Sequence, residues 1–344
     1  MHTSRFVPET APQSGVLLTW PHVHSAWADS LEAVSKVYLD IARAVLAHEK
    51  LLIVCYDGDH TKEVRQACVQ AGIPLEPIRF FIAPTNDTWI RDYGPLAVSD
   101  GGGIHLLDFV FDGWGNKYPA GLDNEVTGKL VSAGVFGAAA CRRIPRVLEG
   151  GSIDTDGQGS LLTTSHCLIT NSRNPGYDKP AFEQLFAGEL GIDRVLWLDH
   201  GELEGDDTDA HIDMLARFCS PHTIAYTQCS DESDSHYAGF KAMEAQLRTF
   251  RTREGRPYHL LPLPLPSPVR TAAGERLPAS YANFLIINGA VLVPVYGDPA
   301  DATALERLAG AFPDRQVIAV NCLPLIHQFG SLHCATMQLP AGIL

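Results

Sequence analysis

The chain has 344 residues and carries 40 acidic against 26 basic side chains, a formal net charge of −14 at pH 7. Nucleic acids and anionic membranes are bound through clustered Lys and Arg, so this balance argues against both as partners. It suits a small cationic ligand, but an acidic surface can equally serve solubility alone.

The N-terminus and the cysteines give no sign of export. The first residues, 1–5, lack the apolar stretch of a signal peptide, and no apolar run is long enough to span a bilayer. The eight cysteines are scattered without a CxxC pair or a regular framework, which indicates small buried residues in a reducing compartment. We therefore expect a soluble, cytoplasmic protein.

Strands and helices are predicted to alternate along the chain. An apolar strand at 15–20 precedes a helix with an apolar face from Leu31 to Leu46, then a strand at 51–56 and a helix that Asp59 would cap. Apolar runs predict further strands near 79–82, 95–98, 104–111, 159–164, 167–170, 194–198, 211–218, 222–226, 283–287, 290–295 and 316–320. Helical spacing predicts helices near 124–136, 179–190, 236–250 and 301–311. Within the Pro-rich stretch 257–268, residues 261–266 are expected to form a short, semi-rigid linker.

Polar or glycine-marked strand ends recur along this α/β pattern. They fall near Trp20, Asp92, Gly150, His211 and Asn288, at a spacing of roughly sixty to seventy residues. A fixed period suggests units stacked or arranged radially, although an ordinary α/β sheet with similar element lengths would give the same pattern. The pattern alone leaves both arrangements open.

An acidic run precedes a histidine in the second half of the chain. The segment 206–209 places three carboxylates within four residues, directly before His211 and Asp213. If 211–213 is a strand, these two side chains point to the same side. Clustered carboxylates repel one another, so a bound cation would favour their folding together; a solvated acidic loop is the alternative.

An indole and a carboxylate three residues apart form a second candidate. Trp89 and Asp92 come just before the turn-prone segment 93–95. A carboxylate accepts two N–H bonds from a guanidinium, and an indole offers its negative face to the cation. The pair therefore suggests a guanidinium receptor, although Asp87 could equally form a turn and Arg91 could be its structural ion partner.

Two further stretches carry weaker signals. Glu149 precedes paired glycines, so it could orient a histidine or simply begin a structural turn. Cys334 lies between Gly330 and polar Thr336, where a thiol can face a site, although a lone cysteine is more often buried and inert. In a strand the adjacent His333 would point away from Cys334, so it is not assigned as the base.

Other chemistries have less support. His22 and His24 have the HxH spacing of a metal site but lie in a proline-led loop. No phosphate-loop, dinucleotide or GxSxG motif occurs. A metal-dependent hydrolase and a non-catalytic polyamine-binding protein stay open as rival functions.

Several of these stretches occur together in the order typical of one family. The chain resembles the agmatine deiminases of the guanidine-modifying, or pentein, superfamily through NDTWIRDYGP, EGG, NSRNP, DDTDAHID, SYANF with NG, and HC, at positions 86–95, 149–151, 171–175, 206–213, 280–284, 288–289 and 333–334. The opening segment 15–21 is similar as well. The resemblance covers nearly the whole chain and implies a five-bladed α/β propeller with pseudo-fivefold symmetry, in a single catalytic domain over residues 1–344.

The resemblance also implies roles for individual residues. By position, the implied roles are nucleophile for Cys334, general acid and base for His211, guanidinium grip for Asp92 and Asp213, support of the histidine for Glu149, and lining of the substrate channel for Trp89 and Asp207. Three departures from the family pattern concern the mouth of the site. Here 328–331 replaces a run of glycines, Ala210 a frequent glycine and Met337 a frequent glutamine.

The implied reaction is the hydrolysis of agmatine to N-carbamoylputrescine and ammonia through a thiouronium formed on Cys334, without metal or organic cofactor. The implied partner is a small cationic guanidine, and a homo-oligomer is compatible with the sequence. The alternative is deimination of another guanidine: a C-terminal peptidylarginine, free arginine or a methylated arginine. Asp207 near the outer channel would favour the free amine of agmatine over a carboxylate.

Overall fold

The computed structural model describes residues 4–344, so positions 1–3 of the N-terminal segment discussed above lie outside the described residues. The strands are β1 (Arg5–Phe6), β2 (Gln13–Thr19), β3 (Lys50–Cys55), β4 (Ile78–Ile82), β5 (Leu96–Asp100), β6 (Gly103–Val110), β7 (Cys141–Val147), β8 (Ile153–Thr155), β9 (Ser160–Thr164), β10 (Arg194–Leu198), β11 (Ala216–Ser220), β12 (Thr223–Gln228), β13 (His259–Pro264), β14 (Leu285–Ile287), β15 (Ala290–Val295), β16 (Gln316–Asn321) and β17 (Thr336–Pro340). The α-helices are α1 (Leu31–Leu46), α2 (Gly58–Gln70), α3 (Ile90–Tyr93), α4 (Gly113–Asn116), α5 (Val126–Ser132), α6 (Ser165–Leu168), α7 (Lys179–Leu190), α8 (Tyr237–Leu247) and α9 (Asp301–Ala311). No helix of the described chain is long and apolar enough to cross a membrane.

Five small sheets repeat one ββαβ unit. In chain order the sheets are β17-β2-β3-β4, β1-β5-β6-β7, β8-β9-β10, β11-β12-β13 and β14-β15-β16. In each, the first two strands of the unit pair antiparallel and the third adds parallel to the second. The parallel step requires a crossover, and the helices α1, α5, α7, α8 and α9 lie in these connections. The five-bladed α/β propeller implied by the resemblance is confirmed.

The C-terminal strand completes the first unit. β17 pairs antiparallel with β2, with Thr336 opposite Leu18 and Pro340 opposite Gln13. The N-terminal strand β1 is added to the second unit, where Arg5 lies opposite Ser99. Both ends of the chain are thus tied into the repeat, although the assignment of 1–344 to one domain stays a prediction.

Several local predictions are wrong for identifiable reasons. Helix α2 begins after Asp57, whose side chain accepts from the His60 N–H at 2.8 Å, so Asp57 rather than Asp59 is the cap. The predicted strand 167–170 is instead the short helix α6 and the residues after it, with Thr164 as the cap residue. The predicted linker 261–266 instead lies largely in β13, an edge strand, where prolines without an N–H are tolerated.

The repeat was only partly located from the sequence. The marks at Asp92, Gly150 and His211 do precede the first strands of units two, three and four. The marks at Trp20 and Asn288 do lie at strand ends, those of β2 and β14, but these positions are not equivalent to the other three in the repeat. The equivalent segments in the other two units end at Cys334 and Asn283, just before β17 and β14.

A buried ion cluster joins three units to the N-terminal segment. The Arg217 guanidinium on β11 contacts the Glu9 carboxylate at 2.9 Å and the Asp154 carboxylate at 3.2 Å. It also donates to the Phe284 carbonyl at 3.0 Å, just before β14. The other Glu9 oxygen accepts the Ile286 N–H at 2.6 Å. All of these charged side chains are buried, so each depends on its partners for compensation.

Replacing Arg217 with Met removes the cation and keeps much of the side-chain length. We expect the free energy of unfolding to fall by about 3 to 5 kcal/mol, because Glu9 and Asp154 lose the cation they share. Urea denaturation measures the change. As a control, Lys36→Met removes an exposed ion pair with Glu32 and should leave the unfolding midpoint nearly unchanged. Equal effects of the two variants would contradict a stabilising role for the cluster.

Candidate active site

Five chain segments, one from each unit, meet at one buried site. Each segment directly precedes the first strand of its unit, and the side chains they contribute are Cys334 before β17, Asp92 in α3 before β5, Glu149 before β8, His211 and Asp213 before β11, and Asn283 before β14. All are buried. The fold therefore gathers residues that are far apart in sequence, because equivalent turns of a radial repeat face a common centre.

Gly151 marks the point on which the polar groups converge. A Cβ built there would lie 2.7 Å from His211 Nδ1, 2.8 Å from Asp92 Oδ1 and 3.0 Å from Asp213 Oδ2. Its backbone N–H donates to Asp92 Oδ1 at 2.9 Å. The paired glycines after Glu149 are thus needed for close approach, and the structural-turn interpretation of this stretch is incomplete.

Glu149 and His211 form a hydrogen-bonded pair. His211 Nε2 lies 3.1 Å from Glu149 Oε2, and the Arg173 Nε–H donates to the same carboxylate at 2.9 Å. Burial alone would lower the pKa of His211, but the nearby Asp92 and its bond to Glu149 raise that pKa well above its usual range. The ring is therefore a cation, and its other nitrogen, Nδ1, lies 3.7 Å from Asp92 Oδ1.

The two carboxylates assigned to guanidinium binding differ in their surroundings. Burial raises the pKa of Asp92 to about 6, and its remaining oxygen accepts the Trp114 indole N–H at 2.9 Å. Burial also opposes ionisation of Asp213, but a bond from His333 lowers the pKa of Asp213 below its usual value. Asp213 Oδ1 and His211 Nδ1 are buried and have no hydrogen-bond partner among the described residues.

The Cys334 sulfur lies between an acid and an amide. It is 3.7 Å from Asp213 Oδ2, and Asn283 Nδ2 donates to it at 3.3 Å. Burial, followed by the charges of Asp213 and Asp92, raises the pKa of the Cys334 thiol well above its usual range. The sulfur is therefore a neutral thiol in the free protein. The sequence alone did not indicate whether Cys334 is a thiol or a thiolate before substrate binds.

A cavity of about 90 Å³ lies beside Cys334. Its lining includes the buried Trp89 and Trp114 and, nearer the surface, the partly exposed Asp87 and Asp207 and the exposed Tyr118, whose hydroxyl donates to Asp207 at 2.8 Å. No Lys or Arg is among the described residues that line it. The channel therefore has aromatic walls and an acidic outer end.

All seven side chains singled out from the sequence line or adjoin this site, although their roles are not tested by geometry alone. The prediction that His211 and Asp213 point to the same side because they lie in a strand is wrong. Ile212–Met214 is a 3-10 helix, and the strand begins at Ala216. The acidic run 206–209 also divides: its last member, Asp209, pairs with Arg173 and Lys117 instead of lining the cavity.

Other residues at the site were not assigned a role from the sequence. Asn283 and Arg173 lay inside recognised motifs, so their position in those motifs was the available signal. Trp114 and Glu9 carried no local signal, since each contacts the site only through the tertiary fold. His333 was expected to point away from the site in a strand, but this segment is a turn and His333 contacts Asp213 at 2.8 Å.

Within the HxH pair, His22 has both ring nitrogens occupied by hydrogen bonds. His22 and His24 line a separate open groove of about 360 Å³ beside α1 and α2. His22 Nε2 bonds the Thr85 hydroxyl at 3.0 Å, and its Nδ1 accepts the His24 N–H at 3.2 Å. Among the residues described, the one grouping with metal-ligand spacing is Glu149, Cys167 and His211. The Arg173 cation bonded to Glu149 disfavours a metal ion there.

A cysteine, a histidine and buried carboxylates gathered by a five-unit α/β propeller define an enzyme of the guanidine-modifying class. Comparison with known proteins narrows this class. The chain belongs to the Porphyromonas-type peptidyl-arginine deiminase family, whose model matches residues 5–340.

Named relatives include deiminases of small guanidines. The agmatine deiminase of Stutzerimonas stutzeri is 32% identical and aligns over 97% of this chain and 94% of its own. A substrate-bound Cys-to-Ser variant of the C. jejuni agmatine deiminase has 35% identity and a TM-score of 0.91, covering 100% of this chain and 98% of that one. A Porphyromonas gingivalis protein provisionally named an arginine deiminase has 45% identity and a TM-score of 0.92, covering 99% of both chains. The resemblance to agmatine deiminases is confirmed.

Replacing Gly151 with Ala tests the convergence of the polar groups. The added methyl would displace His211 and Asp92, and we expect turnover to fall about a hundredfold, as misplacement by about 1 Å can cause. Ammonia release under conditions where the wild type is active measures this. The control is Gly128→Ala in α5, where a Cβ meets nothing within 4 Å. That variant should keep full activity; a Gly151→Ala enzyme as active as this control would contradict the geometry.

Proposed function

We propose that the protein hydrolyses agmatine to N-carbamoylputrescine and ammonia with Cys334 as nucleophile. The observation that carries this is the meeting of a thiol, two carboxylates and a cationic histidine at one buried point beside Gly151. A planar guanidinium offers N–H donors in the fork geometry that carboxylates accept. The agmatine deiminases among the relatives support the same assignment.

The unpartnered oxygen of Asp213 and the carboxylate of Asp92 receive the guanidinium nitrogens in this proposal. Both acids are buried, so their attraction for a cation is weakly screened. Asp92 is already held by Trp114 and Gly151, which limits its rotation. The bound guanidinium then presents its central carbon to the sulfur of Cys334, and holding the two reactants together removes most of the entropic cost of their encounter.

In the first step the C–S bond forms and a C–N bond breaks. The approaching cation offsets the carboxylates that keep Cys334 protonated, so the thiolate becomes accessible. The departing nitrogen takes a proton from the His211 cation, and the ring is recharged by the proton of the thiol. The net change joins the thiol proton to an NH₂ group as ammonia and leaves a positively charged S-alkylthiouronium on Cys334.

In the second step water replaces the sulfur. His211 first passes to solvent the proton it gained from the thiol, and the neutral ring then takes a proton from water as the C–O bond forms. The C–S bond breaks, the second proton of the water returns the sulfur to a thiol, and the ureido product leaves, so the reaction as a whole releases one proton. Glu149 keeps the imidazole in place through both steps and favours its charged form, since it accepts from Nε2 and leaves Nδ1 turned to the reacting atoms.

The outer end of the channel favours an amine over a carboxylate. Asp87 and Asp207 both line the cavity, and their charges interact, because the presence of Asp207 contributes to the raised pKa of Asp87, which burial brings to about 6. A free amine placed there gains two acidic partners. The carboxylate of free arginine or of a C-terminal peptidylarginine would meet like charge with no Lys or Arg among the described lining residues.

Cys334→Ala tests the nucleophile. We expect no ammonia release from agmatine, because no thiouronium can form, while agmatine binding stays measurable by calorimetry since the carboxylates are unchanged. Cys141→Ala, at a half-buried thiol on β7, is the matched control and should retain wild-type turnover. Ammonia release by Cys334→Ala at the wild-type rate would overturn the mechanism.

Asp207→Asn tests whether the outer channel selects an amine or a carboxylate at the far end of the substrate. We expect kcat/KM for agmatine to fall roughly tenfold to a hundredfold, as loss of one charged partner implies, with a smaller loss for free arginine. Agmatine, arginine and an arginine-ended peptide are offered in parallel, and ureido product is measured. Asp199→Asn, at an exposed acid that does not line the cavity, is the control. If the wild-type enzyme turns over the peptide or arginine faster than agmatine, the proposed substrate is wrong and that alternative takes its place.

A further inference from the structure

A second buried histidine, His333, hydrogen-bonds to Asp213, one of the two carboxylates proposed to bind the guanidinium. His333 Nδ1 lies 2.8 Å from Asp213 Oδ2, and His333 Nε2 lies 2.8 Å from Glu9 Oε2. The three side chains are 2%, 0% and 6% exposed for His333, Asp213 and Glu9, so this carboxylate–imidazole–carboxylate chain is shielded from water. The reaction described above makes no direct use of His333.

The hydrogen-bond inventory sets the charge of this chain. An ionised carboxylate can only accept, so an imidazole with both nitrogens facing carboxylates must donate from both. Burial opposes ionisation of Glu9, but Arg217 and His333 hold the pKa of Glu9 far below its usual range. The pKa of Asp213 is also lowered, against the effect of burial, with His333 as the main cause. Both acids are therefore ionised and the ring carries two N–H groups.

We propose that His333 is a positioning residue: as an imidazolium between Glu9 and Asp213, it keeps Asp213 ionised and fixes the Asp213 oxygen, Oδ2, that faces Cys334 and Gly151. Glu9 lies in the segment between β1 and β2, so the N-terminal segment contributes to the site through this chain. The claim about guanidinium rests on the proposed function, whereas the claim about charge does not. Catalytic contact with the substrate stays with Asp213.

Asp213 needs a cationic partner because acidic groups lie close to it. Asp92 and Cys334 oppose its ionisation, and the cations that favour its ionisation are His333, His211, Arg217 and Arg91. Without the His333 cation between them, the buried carboxylates of Asp213 and Glu9 would face each other, and one of them would take up a proton. A protonated Asp213 no longer binds the guanidinium as an ion pair.

Two substitutions separate positioning from packing. In His333→Asn the amide can occupy the place of Nδ1 and still donate to Asp213, whereas in His333→Gln it reaches toward Glu9 and leaves Asp213 without a donor. Positioning predicts that Gln is the worse replacement, with KM for agmatine raised at least tenfold and kcat changed less. Packing alone predicts the reverse order, because Gln is closer to His in volume.

The pH profile supplies a readout that packing would not move. In the wild type, kcat/KM for agmatine should fall as the pH drops through about 6, where both Asp92 and Asp87 lose their charge. In His333→Gln the pKa of Asp213 rises, so this acidic limb should move to higher pH and involve one further proton. If Gln matches the wild type in KM and in pH profile, or if Asn is the worse replacement, the proposal is wrong. Should Gln fail to fold, Asn decides alone: its amide keeps the donor but not the charge, so an acidic limb shifted to higher pH supports the proposal, and a limb at the wild-type position contradicts it.

A spectroscopic test needs no substrate. In wild-type protein with ¹⁵N-labelled histidine, His333 should show two exchange-protected ring N–H protons at neutral pH, identified by their loss in His333→Asn. A single N–H would mean a neutral ring and would overturn the proposal even if agmatine is turned over. If both protons are present and the wild type releases no ammonia from any guanidine, the positioning charge stands and the proposed function fails.

Discussion

The site depends on burying several carboxylates together without losing their charge. Glu149 is compensated by Arg173, and Asp213 by His333, each through direct hydrogen bonds. Asp92 has only neutral donors, the Trp114 indole and the Gly151 amide, with the His211 ring further away at 3.7 Å. Of these three acids, Asp92 is therefore the one whose pKa is raised, to about 6, and in the proposed function a bound guanidinium supplies the positive charge that this part of the site lacks.

In the proposed mechanism, the same electrostatics keep Cys334 protonated until a cation binds. Cys334 is a neutral thiol because it is buried beside Asp213 and Asp92, and these are the two acids proposed to bind the guanidinium. Reactivity and binding are thus coupled through one pair of charges. A cation bound between the acids weakens their effect on the sulfur, whereas small neutral molecules do not, which gives selectivity before any contact at the outer channel.

The fold makes this arrangement possible by closing the repeat. Cys334 is ten residues from the C-terminus, and it reaches the site because β17 completes the sheet begun by β2. Its carbonyl then accepts the Arg91 N–H at 3.2 Å, which joins the first and second units at the nucleophile. The departure from the family pattern at 328–331 lies at the same place. Phe329 takes a left-handed φ of 66°, at a cost of about 1 kcal/mol for a residue with a side chain, and lines the channel.

Most of the reactive set could be read from the sequence because its members lie in short polar motifs at strand ends. Glycines, neighbouring acids or family sequence motifs indicated each member of this set. The structure brings these residues together: Asp92, Glu149, His211, Asp213 and Cys334. The strands and helices with strong apolar periodicity, such as α9 and β15, were also predicted within a residue or two. These features are local, so a linear pattern is enough to indicate them.

What the sequence could not determine is set by contacts between distant segments. The ionisation of Cys334 and Asp213 depends on the number of charges that the fold buries around each, and Glu9 is 324 residues from its partner His333. The alternation rule in a strand would point His333 away from Cys334, but the segment is a turn and His333 contacts Asp213. By itself the sequence determined which groups are available for guanidine chemistry. Only the tertiary structure decided their charges and partners, because both depend on burial and on distances through space.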